Sequence, residues 1–241
     1  MKHYWINIDK CTDRREYMQE QFLKENIDNV RVSAVTPETY SEYTIIRNPD
    51  SQSSVEEICC LLSHMKVLQL GYDSGDEYFC ITEDDTIIPK LNFEKIISYM
   101  RQAEEKNNQK VELLQLYTSG SPFIWQMMNE NVLVKEPTFV IPRKESCPGT
   151  VYYLISRIGA KKLLDKFKID EHNYDFSYSS WTAADNMLYS PIQTYILTYP
   201  ITITNIKLGS IIHEQHLHHH EHANQLIRQI HQKYPFLDYF I

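Results

Sequence analysis

Hydrophobic and polar positions alternate from the start of the chain. His3-Tyr4-Trp5-Ile6-Asn7-Ile8 carries the alternation of a strand. From Asp13 the period lengthens. Tyr17, Met18, Phe22 and the neighbouring Leu23 fall at helical spacing, with Glu16 placed three residues after Asp13 as a capping-box partner. Val30 to Val35 reads as a second short strand. Residues 36 to 54 are polar and contain Pro37 and Pro49, which predicts a loop. Ile58, Leu61, Leu62, Met65 and Leu68 then form one apolar stripe over Val55 to Leu70, and Gly71 is placed to end that helix. Tyr78 to Thr82 is a short apolar strand between Gly75-Asp76 and Glu83-Asp84-Asp85.

The second half is less regular. Phe93 to Glu105 reads as a helix, Glu112 to Tyr117 as a strand, and residues 118 to 150 as loop-rich, with Pro122, Pro137, Pro142 and Pro148. Val151 to Ile155 is a strand, Ser156 caps a helix to Lys166, Ile201 to Ile206 is a late strand, and Glu221 to Lys233 a final helix. Strands alternating with helices predict an α/β class with a mostly parallel sheet flanked by helices. No repeat, linker or composition shift divides the chain, so one domain is expected over residues 1–241.

Composition narrows the class. With 241 residues, 42% of them hydrophobic and 23% charged, the chain can bury one core without staples. Lys+Arg 24 against Asp+Glu 32 gives a net charge of −8, which argues against a nucleic-acid partner, since that requires a basic face. Six glycines are too few for a collagen-like repeat or a Gly-rich phosphate loop. Cys11, Cys59, Cys60, Cys80 and Cys147 are odd in number and contain no Cys-x-x-Cys, which suits buried thiols in a reducing compartment. No signal-peptide core and no apolar run of about 18 residues is visible, so no transmembrane segment and a cytoplasmic location are expected.

The candidate chemistry begins with Glu83-Asp84-Asp85. Ligands of open α/β sheets bind at the carboxyl ends of strands, and adjacent carboxylates repel unless a cation or donor offsets them. Alternation places Glu83 and Asp85 on one side and Asp84 on another. One or two carboxylates with phosphate oxygens commonly hold Mg²⁺ or Mn²⁺ beside a nucleotide; a solvated acidic turn is the alternative. An imidazole can complete such a shell, and His213, just beyond the last strand, is the candidate. The denser His216, His218, His219, His220 and His222 match no metal spacing and read as a solvated run. Trp181, followed by small residues and Asp185, suggests a sugar-stacking wall with a carboxylate able to take a proton from a hydroxyl. A core Trp with a helix-capping Asp is the other reading. Arg14 and Arg15, at the first strand-to-helix turn, offer donors to a nucleotide or to solvent.

Several of these segments together resemble glycosyltransferase family 25, the group of lipopolysaccharide galactosyltransferases and collagen hydroxylysine glycosyltransferases. Tyr4 to Asp9 with Asp13-Arg14-Arg15 resembles its opening, and Glu57 to His64 its Cys-x-Leu-Ser-His segment, with Glu56 and Cys59 where the family often has glycines. Ile81 to Asp85 is similar to its acidic motif, Gly149 to Leu164 is the longest match, and Trp181 to Asp185 and Ser210-Ile211 resemble later motifs, so the likeness runs from about residue 3 to about 213.

The resemblance implies a GT-A fold, with a nucleotide-sugar half over about 1–120 and an acceptor half over about 121–241. It implies a UDP-hexose donor, UDP-glucose or UDP-galactose, and a divalent metal, Mn²⁺ or Mg²⁺. Carried onto this chain, it makes Glu83, Asp85 and His213 metal ligands, and Asp185 the catalytic base if the transfer inverts or a substrate-orienting group if it retains. Asn7, Arg14, Val35, Thr36, Ser63, His64 and Asp84 become the donor side, and Trp181 the acceptor side. Hydroxylysine or galactosyl-hydroxylysine of a collagen-like protein is the favoured acceptor, with a lipopolysaccharide or capsule glycan as the alternative. From other classes, a Mg²⁺-dependent phosphohydrolase-like domain and an inactive sugar-binding module remain open.

Overall fold

A computed structural model of the chain describes residues 1–144, 147–209, 214–235 and 239–240. In chain order the strands are β1 (His3–Asn7), β2 (Asn29–Ser33), β3 (Thr44–Arg47), β4 (Tyr78–Glu83), β5 (Thr86–Ile87), β6 (Leu113–Gln115), β7 (Val140–Pro142), β8 (Tyr152–Ser156), β9 (Asn173–Phe176), β10 (Thr194–Leu197) and β11 (Ile203–Thr204). The helices are α1 (Thr12–Lys24), α2 (Val55–Asp73), α3 (Phe93–Asn107), α4 (Ser121–Met127), α5 (Arg157–Phe167), α6 (Ala184–Tyr189) and α7 (Glu214–Lys233).

Seven strands form one sheet in the order β2-β1-β4-β8-β6-β10-β7. β1, β2, β4, β6 and β10 run one way, and β8 and β7 run against them. The fold is therefore the α/β class the alternation predicts, a mostly parallel sheet with flanking helices. β8, from late in the chain, lies between β4 and β6, so the two sequence halves share a single sheet. Because β1, β2 and β4 are parallel neighbours, α1 and α2 are crossovers, and the carboxyl ends of the three strands open on one edge.

The pleat of β4 feeds two cores. Phe79 and Ile81 face the α2 stripe of Ile58, Leu61, Leu62, Met65 and Leu68, together with Leu163 of α5. Cys80 faces the opposite layer, where Ile96 and Met100 of α3 and Ala223, Ile227 and Ile230 of α7 pack. All of these side chains are buried, so β4 is covered on both faces, and its carboxyl end reaches the cavities that Glu83 lines.

Local differences from the sequence expectations have physical causes. α1 begins at Thr12 behind Cys11 and has no side-chain cap, so Asp13 and Glu16 form no capping box. The capping box lies at α2, where Ser54 and Glu57 each accept from the other's backbone N–H. That helix passes through Gly71, where a Cβ would lie 2.2 Å from Phe79 Cε2; the glycine makes room for a ring. Residues 36–54 are not all loop, because β3 pairs in parallel with β9, which lies far along the chain. Within 118–150, α4, a π-helical turn at Met128–Val132 and β7 form. Of the late strand only Ile203–Thr204 pairs, antiparallel to β5. Ser156 caps α5 through the Gly159 N–H, as its position predicts.

Candidate active site

The acids after β4 separate according to the direction in which each points. Asp84 turns toward β1 and α1 and is buried, 6% exposed. Its Oδ1 accepts from Arg14 Nη1 at 2.5 Å, and its Oδ2 from Asn7 Nδ2 at 2.7 Å. Arg14 spends its other terminal nitrogen on the carbonyl oxygens of Leu208 and Gly209, at 3.1 and 2.7 Å. Arg14 is thus a buried brace between the acidic turn and the segment after β11, and the solvated reading of it is excluded. Asn7 is equally engaged: its oxygen accepts from Arg31 Nε at 2.8 Å and Arg15 Nε at 3.3 Å.

Glu83 and Asp85 point elsewhere, as the alternation predicts. Glu83 Oε1 accepts from the Thr150 hydroxyl at 2.8 Å and stands 3.7 Å from His64 Nε2. Burial pushes the Glu83 carboxyl up, but His64, Thr150 and the more distant His220 outweigh it, so it lies below the usual carboxylate value. Asp85 lacks such support. Its Oδ1 is buried with no hydrogen-bond partner among the described residues. Burial, then the Glu83 charge, push its carboxyl up to about 7, against the opposing pull of Arg14. Two carboxylates beside each other, one with an orphaned oxygen, fit a hard divalent cation. Asp84 fits one less well, since both its oxygens already accept.

Two cavities meet at these acids. One, of about 150 Å³, is lined by the ends of β1 and β2 (Asn7, Val35, Thr36) and by Arg14, Ser63 and His64. The other, of about 360 Å³, is lined by Gly149, Thr150, Trp181, Asp185, Leu217 and His220. Cys60, Glu83 and Asp85 line both. Ser63 shapes the first cavity from beneath: its hydroxyl donates to the Cys59 carbonyl at 2.7 Å and accepts from the Val35 N–H at 2.9 Å. His64 is fully buried, with Nδ1 against the Tyr153 hydroxyl at 3.0 Å, a side-chain partner.

On the other side, Trp181 is 58% exposed, which rules out a core tryptophan. Asp185 sits in the first turn of α6 behind the N-cap Ala183. Its oxygens accept from the Asn186 N–H at 2.9 Å and the Gly149 N–H at 3.3 Å. His213, Ser210 and Ile211 lie outside the described residues.

Among the described side chains of the histidine run, which do not include that of His216, the solvated reading needs correction at one position. His218, His219 and His222 are exposed, whereas His220 is half-buried in the larger cavity. It stacks on Tyr117 with an interplanar angle of 3°, and its Nδ1 lies 2.6 Å from the Tyr117 hydroxyl. The signal was present in the helical period: His220 continues the buried stripe of Ala223, Ile227 and Ile230 on α7. Thr150, which holds Glu83, carried no such signal.

Comparison with known proteins agrees with the sequence likeness. The family model described as glycosyltransferase family 25 (LPS biosynthesis protein) matches residues 1–178. A Haemophilus influenzae protein provisionally named a glycosyltransferase is 28% identical over 173 residues, which are 69% of this chain and 57% of that protein. The chain thus spans little more than half of that relative's length. Among solved structures, a glycosyltransferase involved in glycosylation of the major capsid of PBCV-1 aligns over 90% of this chain and 98% of its own, with 9% identity and a TM-score of 0.33. Mouse xyloside xylosyltransferase 1, apo form, aligns over 81% of this chain and 71% of its own, with 10% identity and a TM-score of 0.35.

Proposed function

The chain belongs to glycosyltransferase family 25, and on that premise we propose that it moves glucose or galactose from a UDP-sugar to a hydroxyl of a saccharide-bearing acceptor, with a divalent cation. The observation that carries this reading is the junction: Glu83 and Asp85 line both cavities, so a cation between them would touch a donor on one side and face an acceptor on the other. In this reading the β1–β2 edge takes the uridine, with Val35 and Thr36 at its wall. Asn7, Arg14 and Asp84 act by fixing that wall and the acidic turn, since their polar atoms are engaged with one another.

Asp85 and Glu83 would hold Mn²⁺ or Mg²⁺, which when bound offsets the charge that builds on the departing diphosphate. Trp181 offers an exposed face on which a sugar ring can stack. That face favours a glycan or galactosyl-hydroxylysine over bare hydroxylysine. In an inverting transfer Asp185 takes the proton of the attacking hydroxyl, held in place by the Gly149 and Asn186 N–H groups. In a retaining transfer the same carboxylate orients the acceptor.

The test is a screen of UDP-glucose and UDP-galactose with Mn²⁺ or Mg²⁺, against galactosyl-hydroxylysine peptide and lipid-linked glycan acceptors, read by UDP release and acceptor mass gain. Transfer to a sugar-bearing acceptor supports the reading, and the anomeric signal of the product separates inversion from retention. Phosphate release without any sugar nucleotide would favour a phosphohydrolase, and donor binding without turnover an inactive sugar-binding module.

A further inference from the structure

Cys60 and His64 stand four residues apart on α2 and so share one face of the helix. Glu83 meets that face from the end of β4. One ligand atom from each of the three, the Cys60 sulfur, a His64 ring nitrogen and a Glu83 carboxylate oxygen, lies within 4.8 Å of the other two. A second observation points to a ligand here. His64 is 0% exposed, and Tyr153 occupies its Nδ1. Its Nε2, 3.7 Å from Glu83 Oε1, has no hydrogen-bond partner among the described residues. A buried imidazole with one nitrogen fixed by a hydroxyl and the other facing an acid, in a cluster that includes a thiol, has the arrangement of a metal ligand oriented from behind.

We propose that Cys60, His64 and Glu83 form a zinc site, and that zinc bound there inhibits the enzyme. A sulfur, an imidazole nitrogen and one carboxylate oxygen select a borderline-soft ion over Mn²⁺ or Mg²⁺, which prefer oxygen sets. Zinc bond lengths of about 2.0–2.3 Å place tetrahedral ligand atoms about 3.3–3.8 Å apart. The His64–Glu83 separation of 3.7 Å already meets this. The three ligand atoms, within 4.8 Å of one another, close by about 1.3 Å at most on binding. The Cys60 thiol proton leaves to solvent as the ion arrives, and a water can take the fourth position. Glu83 is then committed to zinc and withdrawn from Asp85. The inhibitory role rests on the proposed transferase function; the zinc site does not.

The test uses Co²⁺ as a spectroscopic stand-in and zinc as inhibitor. Wild-type protein should bind Co²⁺ with a thiolate-to-cobalt charge-transfer band. Cys60→Ser should lose the band and bind zinc at least about 100-fold more weakly. A His218→Gln/His222→Gln variant, altered in the exposed histidines, should keep both. Cobalt binding to the wild type without a thiolate band, or unchanged zinc affinity in Cys60→Ser, would overturn the site whatever the enzyme's activity. In the transfer assay with Mn²⁺, zinc should suppress the wild-type rate about 10-fold or more, reversibly on chelation, and leave the rate ratio of Cys60→Ser near one. A thiolate band without suppression would uphold the site and overturn its inhibitory role.

Discussion

On the β1 side of the acidic turn, polar groups hold one another: Asp84 is clamped by Arg14 and Asn7, and Arg14 reaches on to two backbone carbonyls. On the α6 side they hold much less. Among the described residues, one buried oxygen of Asp85 has no hydrogen-bond partner and Asp185 accepts from two backbone N–H groups, while Trp181 lies open to solvent. Neighbouring acids of one turn thus have opposite fates. A satisfied buried network rigidifies a frame. An unsatisfied buried carboxylate costs stability unless a ligand supplies the missing partner. The difference supports the proposal that Asp84 belongs to the frame and Asp85 to the ligand.

The largest effect should come from breaking the ligand side. Asp85→Asn keeps the shape of the turn and removes a charge. It should lower the sugar-transfer rate about 10³-fold or more, read as UDP release at saturating Mn²⁺, while the circular dichroism spectrum is unchanged. Asp84→Asn sharpens the contrast. It leaves the buried Arg14 cation uncompensated and should cost about 3–5 kcal/mol of stability in denaturant unfolding. The two substitutions, one residue apart, should therefore separate activity from stability.

A subtler effect concerns pH. Asp85 in the cation-free fold keeps its proton up to about 7, against an ordinary value of 3.8. Between those values the folded chain binds more protons than the unfolded one, so Asp85 makes stability fall as pH rises through the window. Asp85→Asn removes that dependence. Without cation, the variant should match wild type near pH 4 and exceed it by roughly 4 kcal/mol at pH 8, measured by unfolding at both pH values. The smallest effect should come from Trp181→Ala. It should raise the acceptor KM about 10-fold and leave the melting temperature nearly unchanged, since the ring is mostly exposed.

The sequence carried the features that depend on near neighbours. The strand before the acids, the α2 stripe, the Ser156 cap and the opposed directions of Glu83 and Asp84 follow from periods of two and 3.6 residues. What the sequence hid depends on distant partners. β3 is a short, half-exposed run near two prolines, and only its pairing with β9 makes it a strand. Arg14 looked like a free donor because its carboxylate stands 70 residues away and the carbonyls it braces lie beyond 200. His220 was masked by its neighbours in a histidine-rich run, although it carries on the buried stripe of α7 and meets Tyr117, 103 residues earlier.

The central claim, that Asp85 is the acid that receives the cation, is tested most directly by calorimetric titration of Mn²⁺ into the protein with UDP present. Wild type should bind one ion per chain, and Asp85→Asn should bind it at least about 100-fold more weakly while remaining folded. Equal Mn²⁺ affinity in the two proteins would contradict the assignment.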